Sequence, residues 1–164
     1  MLKKFNFKKK KAVKNIDEKS FKDFFTSHNW VETEASDGNS YLVFESGEKF
    51  KYYREKGVDD NYYCIGTYDL YVGDDAVDYV VNDLSMYGFT KKDIDRALKS
   101  FDQCPEYCFF SLVLNNEQCI IDGNNTLQDV LSTPYYCVYY GDGDEGTLLW
   151  LNLNTSNHYF FKPE

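Results

Sequence analysis

From Asn61 to Gly73 the chain reads Asn-Tyr-Tyr-Cys-Ile-Gly-Thr-Tyr-Asp-Leu-Tyr-Val-Gly, an unusually long run of aromatic and β-branched residues. A period of two puts Cys64, Gly66, Tyr68, Leu70 and Val72 on one face. Tyr63, Ile65, Thr67, Asp69 and Tyr71 fall on the other, and the first set makes the better core face. Glycine in mid-strand weakens pairing, so Gly66 predicts a bend or a close backbone approach, as at the corner of a small barrel.

Ahead of this central strand, Ser20-Phe-Lys-Asp23 has the form of a capping box, and a helix is expected over 17–28. Ile16, Phe21, Phe24 and Phe25 give that helix an apolar side with which to dock on the body. Trp30 opens a strand over 30–35. A turn at Ser36-Asp-Gly-Asn39, a strand over 41–45, a turn at Ser46-Gly47 and a strand over 49–54 follow, with connections short enough to force antiparallel neighbours. Residues 55–60 read as a polar loop.

Behind the central strand the period changes. Val77, Val80, Val81, Leu84 and Tyr87 recur at helical spacing, Asp74 or Asp75 is placed to cap the start, and Gly88 sits where a left-handed C-cap is wanted. Thr90-Lys-Lys-Asp93 is a second capping box, opening a helix with Ile94, Ala97, Leu98 and Phe101 on one stripe and its end near Ser100. Lys91, Lys92, Arg96 and Lys99 are outnumbered by aspartates across the pair, which argues against a DNA-reading helix–turn–helix. Strands over 107–114 and 118–122 are expected to join at an Asn115-Asn116 hairpin turn, since Asn suits positive φ. A helical turn within 126–131 and strands over 135–140, 147–153 and 158–162 complete the pattern. The chain is thus predicted to be mainly β (α+β), an antiparallel meander barrel of about nine strands with an N-terminal helix and a two-helix insertion near 75–100.

Composition supports one folded body. At 164 residues with 18% aromatics and three prolines, the chain is long enough for one substantial core and poorly suited to disorder. Charge divides it. Residues 1–14 hold seven lysines and no acid, leaving 11 basic and 27 acidic side chains, net −16, for the rest. Residues 1–15 therefore read as a basic arm and 16–164 as a single domain. An acidic body repels nucleic acid and anionic lipid, so contact with either falls to the arm, through Lys8, Lys9, Lys10 and Lys11. No apolar run is long enough to span a bilayer, and no signal-peptide core is present.

Candidate chemistry is sparse. The five cysteines (Cys64, Cys104, Cys108, Cys119, Cys137) have no metal spacing and read mostly as small buried hydrophobes, with Cys104–Cys108 or Cys108–Cys137 bridges open outside the cytosol. His28 and His158 read as surface residues. No nucleophile elbow, phosphate loop or dinucleotide fingerprint occurs. Asp142-Gly-Asp144-Glu-Gly146 begins like a calcium loop, but Leu153 stands at the twelfth position, so it reads as a hairpin turn. Asp59-Asp60 and Asp74-Asp75 read as loop and helix-start carboxylates. Asn124 and Asn154 open glycosylation sequons, relevant only in a eukaryotic secretory setting. The expectation is no enzyme, no metal and no cofactor.

Trp30 opening the first strand, Tyr41-Leu-Val-Phe44, the Gly47 turn, Phe50-Lys-Tyr-Tyr53 and Gly66-Thr-Tyr68 together resemble the first half of bacterial lipocalin-like (calycin-type) domains. The pattern departs from that family at Asn29, where a Gly usually precedes the Trp, and in the helical insertion. The layout also looks similar to membrane-tethered surface domains of Firmicutes that have no assigned activity. The resemblance implies a non-enzymatic, extracytoplasmic binding domain, with the lysine arm flanking an anchor encoded ahead of Met1. The barrel-facing residues Cys64, Tyr68 and Leu70 would then meet a small apolar ligand. Tyr53, Tyr63 and Tyr71, pointing outward, would meet a macromolecular partner. The alternative is a cytoplasmic interaction protein whose polylysine arm touches membrane or nucleic acid.

Overall fold

The computed structural model describes residues 12–34, 39–55, 58–126, 131–141 and 146–164. Its strands are β1 (Val13–Lys14), β2 (Trp30–Glu32), β3 (Tyr41–Glu45), β4 (Lys49–Glu55), β5 (Val58–Val72), β6 (Glu106–Ile121), β7 (Asn124–Asn125), β8 (Ser132–Gly141), β9 (Thr147–Asn152) and β10 (His158–Pro163). The helices are α1 (Glu18–Ser27), α2 (Asp74–Asp78) and α3 (Lys91–Lys99). From β2 to β10 the strands pair antiparallel in chain order, β10 returns to β2, and β6 pairs directly with β8, so eight strands close into a barrel. β1 and β7 lie outside the ring, each paired to β6. The expected mainly β, antiparallel meander barrel with helices is the fold observed.

Period-two alternation fills the lumen. Trp30, Leu42, Phe50, Val72, Phe110, Leu112, Cys137, Leu148, Trp150 and Phe161 all point inward and are buried. α1 closes one end with Phe21 and Phe25, whose rings lie 5.1 and 4.9 Å from Phe110. The Trp30 indole donates to the Phe25 carbonyl at 2.8 Å, tying the helix to the strand that follows it. A second core lies outside the ring. There α2, α3 and the turns between them cover Tyr107, Phe109, Tyr136 and Val138 with Ala76, Val77, Val80, Ile94 and Leu98. Strands β6 and β8 are therefore buried on both faces.

Several local expectations are corrected. The cap of α1 is Asp17, whose carboxylate accepts the Ser20 N–H at 2.9 Å; Ser20 lies inside the first turn. α2 starts from Gly73 at φ +65° with no side-chain cap, while Asp74 and Asp75 occupy its first turn. The helical segment then loosens into a π-type turn (Tyr79–Asp83) and a 3-10 turn (Ser85–Tyr87) before the left-handed Gly88 at φ +78°. The Thr90–Asp93 capping box is present in full. Residues 58–60 belong to β5 rather than to a loop. Asn115-Asn116 is no hairpin: it lies within the 16-residue β6, where the register against β5 shifts opposite Gly66. The tight turn is Asp122-Gly123, at φ +52° and +77°, an Asp-Gly pair of the kind that type I′ turns favour. The 36–39 turn, the 126–131 helical turn and the 142–146 loop lie largely outside the described residues.

Candidate functional site

β5 organises the surface around α1. Its inward residues Tyr68 and Leu70 and outward residues Asp69 and Tyr71 meet Lys22, Asp23 and Thr26 of α1, and Glu48 of the β3–β4 turn, around a polar cleft of ≈ 310 Å³. α1 turns Phe21 and Phe25 into the barrel, which leaves Lys22, Asp23 and Thr26 to line this side. Asp69 accepts the Asn115 amide at 2.9 Å. Tyr71 stacks on Tyr79, with ring centroids 3.9 Å apart at 12°. Partial burial and the charges of Asp69 and Asp83 raise the Tyr71 phenol above its usual value; burial and Glu48 do the same at Tyr68. On the other flank of α1 lies a more apolar cleft of ≈ 370 Å³, lined by Ile16, Phe21, Phe24 and Tyr139 with Asp17 and Glu106 at its rim.

A third feature is a row of tyrosines on the outer face. Tyr41 pairs with Tyr53 across β3–β4, and Tyr53 with Tyr63 across β4–β5, so register alone aligns the three. The Tyr41 and Tyr53 rings stack at 6.2 Å and 25°. At the barrel end away from α1 the interior becomes polar. Glu32 accepts the Ser40 N–H at 3.2 Å, and burial holds the Tyr52 phenol well above its ordinary range, with the Ser40 hydrogen bond opposing and Glu32 and Tyr159 adding.

The structure thus separates the sequence-derived candidates. Tyr68 and Leu70 share the polar cleft with Tyr71, which the pattern assigned to the opposite face. Cys64 lies elsewhere, bonded to Cys119, its register partner across β5–β6, with Cα atoms 4.2 Å apart. That is a disulfide between non-hydrogen-bonded partners, where cross-strand Cα atoms come closest. Neither Cys108 bridge forms: Cys104, Cys108 and Cys137 are thiols, and the β6–β8 register separates Cys108 from Cys137 by setting them against Tyr139 and Phe110. Burial raises the Cys108 and Cys137 thiols, as small core residues require. Tyr53 and Tyr63 share the outer row, distant along β5 from Tyr71.

Lys8, Lys9, Lys10 and Lys11 lie outside the described residues. Lys14, at the arm's described end, donates to the Asp102 and Cys104 carbonyls at 2.7 and 2.9 Å. His28 directs Nδ1 to the Phe24 carbonyl at 2.8 Å, and His158 sits exposed beside Phe160. Among the described residues no group of three or more His, Cys, Asp or Glu side chains could hold a metal ion, and no helix is long and apolar enough to cross a membrane.

No family model, curated protein or solved structure matches the chain. Sequence reasoning missed Lys22, Asp23, Thr26 and Glu48 as cleft residues, and Tyr41 as the third ring of the row. The helical period assigned only the apolar side of α1, through Ile16, Phe21, Phe24 and Phe25, and Lys22, Asp23 and Thr26 fall on the side it left over. Which strand that side would face is a tertiary fact.

Proposed function

We propose that the chain is a non-enzymatic, lipocalin-like binding domain that works outside the cytoplasm and holds a macromolecular partner on its outer surface. The observation that carries this reading is the filled lumen: Trp30, Phe50, Phe110, Trp150 and Phe161 are at most 1% exposed and occupy the space an internal ligand would need. What remains for binding is the exterior, where the Tyr41–Tyr53–Tyr63 row offers broad, stiff, amphipathic area of the kind enriched at interfaces. The Cys64–Cys119 disulfide supports an oxidising compartment, since such bonds are rare in a reducing cytosol. The eight-stranded meander closure supports the lipocalin-like assignment.

Native mass spectrometry of the protein purified from its own host without reductant tests the reading. The expected species is ligand-free and two hydrogens lighter than the fully reduced chain. A small molecule that survives purification would overturn the exterior-binding assignment, and five free thiols would overturn the compartment.

A further inference from the structure

β5 outruns its neighbour on one side. Its last pair with β4 is Thr67 opposite Lys49, and one bond further the Tyr68 N–H reaches the Glu48 carbonyl at 3.1 Å. On the other side β5 stays paired with β6 as far as Val72, and the Gly73 N–H donates to the Phe109 carbonyl at 2.8 Å. These two bonds fix the alternation of the backbone. Asp69 and Tyr71 turn their N–H and C=O toward β6, whereas Leu70 turns both away from it. Among the described residues no backbone group pairs with Leu70 on that side.

This short open edge gives onto the polar cleft, with α1 across it. Unpaired strand edges are templates for another extended chain, because pairing satisfies N–H and C=O groups together. The charge of the cleft selects what kind of chain. Asp23, Glu48 and Asp69 supply three carboxylates against the single ammonium of Lys22.

We infer that the Leu70 edge is a strand-addition site for an extended, basic segment of a partner protein, an assignment that rests on the exterior-binding function above and gives it a location. A partner residue opposite Leu70 exchanges both backbone hydrogen bonds with it. The residues flanking that one fall opposite Asp69 and Tyr71 on the outer face, where a Lys or Arg meets a carboxylate and an aromatic ring.

Amide hydrogen exchange and chemical-shift titration of the full chain with the pentapeptide Thr-Lys-Val-Arg-Thr, and with a counterpart carrying Glu for both cations, test this directly. In the free chain the Leu70 amide is expected to exchange faster than that of Tyr71. The basic peptide should slow it roughly tenfold or more and shift the signals of Asp69, Leu70 and Tyr71, while the acidic one leaves them unchanged. Asp69→Lys, an exposed substitution compatible with folding, should weaken binding about tenfold or more by reversing a contact charge. The inference fails if no shift appears at ~1 mM peptide, or if Asp69→Lys binds as tightly as the parent. It also fails if the Leu70 amide is already protected in the free chain, which would assign the edge to the chain's own lysine arm or a second copy. Shifts confined to the Tyr41–Tyr53–Tyr63 row would sink the edge assignment and leave exterior binding standing. A retained small molecule in the mass spectrum would sink exterior binding whatever the peptide does.

Discussion

Asn115 carries its carbonyl into the space that a side chain at position 66 would occupy. The register of β5 against β6 shifts at this point, so the missing Cβ of Gly66 is what lets the two longest strands stay paired through a bend. Gly66→Ala is therefore expected to lower unfolding free energy by about 2 kcal/mol, within the cost of forcing atoms into a packed site. A urea melt would show a lower midpoint at unchanged slope; an unaltered midpoint would mean the backbones separate at no cost. Gly66 was legible from the sequence because a glycine amid β-branched residues needs a steric reason. Asn115-Asn116 was misleading for a related cause: a polar pair favours a turn and a strand irregularity alike, and only the partner strand decides. The Asp122-Gly123 turn carries its own signal in the residue pair, but a chain divided at Asn115-Asn116 already has its hairpin, and the pair then reads as the end of a strand.

At the scale of elements, α1 does two things at once. Its apolar side stops the barrel end and its polar side makes one wall of the cleft. Phe25 is fully buried, with its ring 5.2 Å from Trp30, 5.0 Å from Phe44 and 4.9 Å from Phe110. Phe25→Ala should cost about 3–5 kcal/mol, since several rings line the vacated volume and none belongs to a loop that can collapse into it. The near-ultraviolet dichroism of Trp30 should weaken along with the loss in stability. Retention of both would show that the helix is not needed to close the end. That α1 exists, and which of its faces is apolar, follows from Phe21, Phe24 and Phe25. The sequence points to Ser20 as its cap and the structure has Asp17, because either residue can satisfy a first-turn amide and the choice depends on where the preceding chain enters.

Across the whole molecule, burial shifts the phenols of Tyr52, Tyr135 and Tyr136 and the thiols of Cys108 and Cys137 in one direction. Burial pushes the Tyr136 phenol from 10.0 up to about 12, with Asp93 and Cys137 adding to it. Burial likewise raises Tyr52, Tyr135, Cys108 and Cys137. Each of these groups is neutral when protonated, and the native state holds its proton longer than the unfolded chain does. Stability should therefore be full at neutral pH and fall as pH rises past the ordinary values of 9.0 for thiols and 10.0 for phenols. The fall should approach about 1.4 kcal/mol per pH unit for each group in its window. Urea melts across that range should show it, and Tyr136→Phe should make the decline shallower by one group. A pH-independent stability would mean that these side chains reach water. The sequence by itself determined β2 to β4, β8 to β10, the inward face of β5, the capped helix α3 and the antiparallel pairing of chain neighbours, because period, turn residues and short connections are local properties of the chain. Only the tertiary structure decided that the lumen is filled, that Cys64 meets Cys119, and that β5 overshoots β4 beside α1. Each of those depends on how far one strand slides along another, and barrel closure fixes that displacement for all eight strands together.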